Sequence, residues 1–104
     1  MAHLAVDPGI CGLKTMISAE SENDRICAIR IESECEAVQA LEADVGATDA
    51  YEAAFKLFLE NPVYLAAARH CKHAACPVPS AIVKAVEVAC GLALPRNVSM
   101  TVEK

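Results

Sequence analysis

Two stretches of this chain alternate apolar and polar residues with the same parity, and no other feature restricts its folding so strongly. Over residues 13–19, Leu13, Thr15, Ile17 and Ala19 alternate with Lys14, Met16 and Ser18. Over residues 25–33, Cys27, Ile29, Ile31 and Ser33 alternate with Ile26, Ala28, Arg30 and Glu32. Side chains point to opposite faces along a strand, so each run has one face to bury, and in both it is the odd-numbered one. The polar tetrapeptide Ser21-Glu22-Asn23-Asp24 between them reads as the turn of a β-hairpin. Like faces must lie together, so opposed residue numbers sum to an even number and the loop holds an odd number of residues. A loop of residues 21–23 pairs Leu13 with Ile31, whereas a loop of residues 22–24 pairs Leu13 with Ser33. In the second register Cys11 lies opposite Cys35; in the first it lies opposite Ser33. Both registers put the two thiols at one end of the hairpin, near one face.

The flanking segments complete the plan. Leu4 and Val6 share a face of an alternating run before the Asp7-Pro8-Gly9 turn. Ser33 and Glu36 have the spacing of a capping box, placing Cys35 at the second position of a helix that buries Ala37, Val38, Leu41 and Val45 and stops at Gly46. Thr48 or Asp49 opens a second helix, on which Tyr51, Phe55, Phe58 and Leu59 fit helical spacing as a core stripe. Asn61-Pro62 starts a third helix, running to about Cys71. Cys76-Pro77-Val78-Pro79 reads as non-helical, with Ser80 capping a fourth helix through Ile82, Ala85, Val86 and Ala89 to Gly91. Val98, Met100 and Val102 alternate with Ser99, Thr101 and Glu103 in a closing strand. The predicted fold is α+β: a small antiparallel sheet, elements in the order β-β-β-α-α-α-α-β, helices on one face.

Composition narrows the function classes. At 104 residues one domain spanning 1–104 is expected, and 55% hydrophobic against 22% charged residues excludes disorder. Twenty alanines imply a core built largely from small side chains. A net charge of −5 argues against nucleic-acid binding, which needs a basic face. No apolar run approaches the ~18 residues of a membrane span. The first residues lack the basic and apolar regions of a secretory signal, so a reducing cytoplasm is the expected location. There the six cysteines are expected as thiols rather than as a disulfide scaffold.

Cys27, in mid-strand on the apolar face, and Cys90, beside Ala89, read as core residues. Cys11, Cys35 and Cys76, with a fourth ligand from His70, Cys71 or His73, form the candidate metal site. Thiolate and imidazole suit Zn²⁺ or an iron–sulfur cluster. Cys11 sits between Gly9 and Gly12, which permit close backbone approach to a bound group. The same thiols also admit redox chemistry or inert packing, and the paired short spacing of a zinc motif is absent. Arg69 to His73 reads as charge at a helix end, and Glu32, Glu34 and Glu36 as a solvated edge and helix start. No nucleophile–base pair or phosphate loop is visible, so a catalytic role is not expected.

The segment His73-Ala-Ala-Cys-Pro-Val-Pro-Ser-Ala-Ile-Val, with Gly91-Leu-Ala-Leu-Pro, resembles a family of small uncharacterised proteins from anaerobic bacteria and archaea. Cys11-Gly12 and Ile29-Arg-Ile-Glu-Ser-Glu-Cys35 are similar to it too, extending the resemblance over most of the chain. It implies no activity. Two functions remain: a cysteine-dependent metal or iron–sulfur binding protein, or an interaction domain that forms a homodimer and whose cysteines only pack. An exposed aromatic stripe would serve the second.

Overall fold

A computed structural model describes residues 1–104. Three strands, β1 (Ala2–Val6), β2 (Thr15–Glu20) and β3 (Ile26–Ser33), precede helices α1 (Glu36–Gln39) and α2 (Leu41–Val45). A short strand β4 (Ala47–Asp49) follows, then α3 (Ala50–Phe55), α4 (Pro62–His70) and α5 (Val78–Ala89). The sheet is antiparallel throughout, in the order β1-β2-β3-β4. The α+β class is as expected, but the fourth strand lies at residues 47–49, and residues 98–102 join no sheet.

Parity holds and both expected registers fail. Thr15, Ile17, Ala19, Cys27, Ile29 and Ile31 are all buried, whereas Met16, Ala28, Arg30 and Glu32 are exposed. The helices therefore cover one face only, with α5 across β1 and β2. Thr15 opposes Ser33 and Ile17 opposes Ile31, two positions beyond the nearer expected register. The loop is longer because Asn23 Oδ1 accepts the amides of both Arg25 and Ile26 at 2.9 Å, and Asp24 takes the left-handed conformation (φ 57°). A slip of two residues keeps every side chain on its own face, so hydrophobic patterning alone cannot choose between such registers.

Helix signals were read correctly where a side chain caps. Asp49 Oδ1 accepts the amides of Tyr51 and Glu52 at the start of α3. Asn61 is buried and serves two helices: Oδ1 accepts the Val63 amide at 2.9 Å, and Nδ2 donates to the carbonyls of Ala53 (2.8 Å) and Lys56 (2.9 Å). That anchor ends α3 at Phe55, so Phe58 and Leu59 fall outside the helix. The expected aromatic core stripe is corrected too. Tyr51, Phe55 and Phe58 are 47, 67 and 66% exposed, because α3 meets α5 through Ala50 and Ala53. Small residues bring the helices close and leave the rings outside.

Two more starts differ. Cys35, not Ser33, is the N-cap of α1, and helices α1 and α2 divide at Ala40. Helix α5 begins at Val78 with Pro79 inside its first turn, where a missing N–H costs nothing, and Ser80 donates its hydroxyl to the Pro77 carbonyl.

Candidate functional site

The chemistry collects around one cavity of about 350 Å³. Its wall draws on the loop after β1 (Pro8, Ile10, Cys11, Leu13), the β3–α1 junction (Cys35, Ala37, Val38) and the segment joining α4 to α5 (Cys71, Lys72, His73, Ala75, Cys76, Pro77, Val78). Most of this lining is apolar. Four of the six cysteines stand around it, drawn from positions far apart in the chain.

Each segment is held by identifiable bonds. The Lys14 amide donates to Glu34 Oε1 at 2.8 Å, and the Glu34 amide to the Lys14 carbonyl at 3.1 Å, so the ladder continues past β2 to the cavity edge. Ser33, its hydroxyl 2.7 Å from that of Thr15, accepts the Cys35 amide at 3.0 Å. Gln39 Nε2 donates to the Ser33 carbonyl at 2.7 Å. These contacts turn the chain from strand to helix and leave Cys35 half-buried. Cys71 caps the end of α4, its amide on the Ala67 carbonyl at 2.8 Å, and the Cys76 amide closes a turn on the His73 carbonyl at 3.2 Å. Cys11 is the exposed member, on a loop where Gly9 and Gly12 have φ of 87° and 72°.

Cys71 and Cys76 are neighbouring thiols on the cavity wall, with Cys35 close enough to be felt electrostatically. Burial pushes the Cys71 thiol up from 9.0 to about 11, and the Cys76 and Cys35 thiols add to the rise. No three His, Cys, Asp or Glu side chains are arranged here to hold a metal ion. All six cysteines are free.

The candidate ligands divide cleanly. Cys11, Cys35, Cys71, Cys76 and His73 meet at the cavity, but His70 does not. Its Nε2 lies 2.7 Å from Asp44 Oδ2, which also accepts from Arg69 Nη2 at 3.1 Å. His70 and then Arg69 hold the Asp44 carboxyl below its ordinary range. The basic end of α4 is thus tied to α2. At Asp49, desolvation is outweighed by Arg25 and the capped amides, and the carboxyl again lies low. Cys27 and Cys90 are buried, as expected for core residues. A second cavity, at the β2–β3 turn, has a Cys27 wall and no other thiol.

A family model matches residues 2–102, nearly the whole chain. The chain belongs to a family of unknown function (DUF6951). No curated protein and no solved structure matches it. No helix is long and apolar enough to cross a membrane.

Sequence reasoning singled out Cys11, Cys35 and Cys76, left the fourth member open among His70, Cys71 and His73, and missed the apolar wall. Ile10, Leu13 and Val78 carry no chemical motif, and only the packing of three loops makes them one surface.

Proposed function

We propose that the cavity is a thiol-dependent binding site for a soft metal ion or an iron–sulfur cluster, in a cytoplasmic protein without catalytic activity of its own. Cys11, Cys35, Cys71 and Cys76 are the donors, with His73 at the rim. One observation carries this reading: four cysteines from three separated segments line a single apolar cavity. Sulfur donors in an apolar wall suit zinc or iron–sulfur clusters better than hard, oxygen-seeking ions. Since no three donors are yet in place, binding draws Cys11 inward on its glycine-flanked loop. The Cys71 thiol must lose its proton to ligate, so loading is expected to weaken as pH falls.

The test is metal analysis with an absorption spectrum on untagged protein. Thiols and iron–sulfur clusters are oxidised by air, which is the reason to purify it without oxygen. Stoichiometric zinc, or iron with a sulfide-to-iron charge-transfer band, is expected; Cys35→Ser, Cys71→Ser or Cys76→Ser should abolish it and His70→Ala should preserve it. Colourless, metal-free protein with six titratable thiols, unchanged after anaerobic incubation with iron and sulfide or with zinc, would refute the reading.

A second reading, an interaction domain that pairs with its own copy, is supported by the exposed Tyr51, Phe55 and Phe58. Contiguous apolar rings on a surface are commonly buried by a partner.

A further inference from the structure

We infer that residues 98–102 form a strand that adds to the open edge of β1 in a second copy of the chain, two copies exchanging these segments reciprocally. The segment has the pattern of a half-buried strand but buries nothing. Val98, Met100 and Val102 are 62, 79 and 92% exposed, and from Leu94 onward the backbone makes no hydrogen bond to the rest of the chain. Such a strand carries free backbone donors and acceptors and an apolar face, both of which favour addition to a sheet.

The sheet has a matching vacancy. β1 pairs only with β2, so every other residue along it turns its N–H and C=O outward. The two segments are equal in length, five residues each. Their faces agree as well. Even-numbered residues of β1, Ala2, Leu4 and Val6, lie toward the helices, and the apolar residues of the tail are also even-numbered. A register that opposes even to even puts Val98, Met100 and Val102 beside them, and Ser99 and Thr101 beside the exposed His3 and Ala5. Leu4 and Val6 are only partly buried, as edge residues without an outer neighbour should be. The other edge, β4, has three residues and runs directly into α3, which leaves too little ladder.

The exit from α5 favours a second copy over the chain's own edge. Gly91 adopts φ of 73°, the Leu92 amide bonds the Glu87 carbonyl at 2.8 Å, and the Gly91 amide bonds the Val88 carbonyl at 3.3 Å. This Schellman closure, with Leu92 packed on the core and Pro95 fixing its own φ, sets the direction in which the chain leaves. In the single chain the tail pairs with no strand, its own β1 edge included. Reciprocal exchange between two copies occupies both edges and closes a two-fold dimer.

The experiment is sedimentation of the full chain with amide hydrogen exchange, on wild type, Met100→Asp and Phe55→Asp. Met100 is 79% exposed in the single chain and lies outside the core, so its substitution leaves the body folded, as an unchanged thermal midpoint will verify. Expected are a wild-type dimer with slow amides over 98–102 and in β1, and a Met100→Asp monomer of half the mass whose tail amides exchange as in an unfolded chain. A monomeric wild type overturns the inference, whether its tail is free or protected on its own edge. So does a dimer that survives Met100→Asp, or one dissolved by Phe55→Asp alone.

Discussion

Cys27 and Cys90 are neighbouring thiols buried between β3 and the end of α5, whereas Cys71 and Cys76 stand together on the wall of a cavity that opens to water. The two pairs share an electrostatic signature. Burial, then the neighbouring thiol, raises Cys27 to about 11, and the same causes raise Cys71 to about 11. A shifted thiol is therefore not in itself a functional one; what separates the pairs is access. In the first pair sulfur fills space between a strand and a helix, as a small apolar group does. In the second, two half-buried thiols share the wall of one open cavity with Cys35 and Cys11.

The largest way to break this contrast is a charge. Cys27→Asp places a carboxylate against Cys90 with no partner, at a cost of about 3–5 kcal/mol in urea denaturation. Cys76→Asp, at the cavity rim, should cost under about 1 kcal/mol. Equal losses would mean that the rim is as sealed as the core.

A smaller effect follows from pH. Between 9.0 and about 11 the unfolded chain ionises thiols that the folded chain keeps protonated, so the folded state binds more protons and loses stability as pH rises. A two-unit shift corresponds to roughly 2–3 kcal/mol for the core thiol. Denaturation midpoints from pH 8 to 11 should fall accordingly, and in Cys27→Ala the fall should be shallower. A fall of the same depth in Cys27→Ala would assign the whole effect to Cys71.

The subtlest difference is kinetic. Under iodoacetamide at pH 8, mass spectrometry should find Cys11 modified first and Cys71 much later, with Cys27 and Cys90 reacting only on unfolding. The Cys71 rate should rise about tenfold per pH unit below its shifted value. Early modification of Cys27 would show that the core opens locally.

Much of this contrast was legible before folding. Mid-strand parity placed Cys27 in the core, and the position beside Ala89 did the same for Cys90. The hairpin brought Cys11 and Cys35 to one end although neither expected register was right, because both registers and the observed one share parity. What could not be read was which of His70, Cys71 and His73 would join them. That depends on Asp44, a residue in another helix that no local pattern selects and that draws His70 away.

The sequence by itself determined the features that rest on neighbours in the chain: strand faces, the caps at Asp49 and Asn61, the stop at Gly91, the small-residue core and the α+β class. Each follows from side-chain alternation, helical spacing or a side chain reaching an amide two or three residues on. Tertiary structure alone decided the hairpin register, the fourth strand at residues 47–49, the exposure of the aromatic rings and the gathering of four thiols on one cavity. These depend on how loops close and how nearly Ala50 and Ala53 let α3 approach α5. Hydrophobic pattern selects the face that is buried, but the residue met on that face is settled only when distant segments pack.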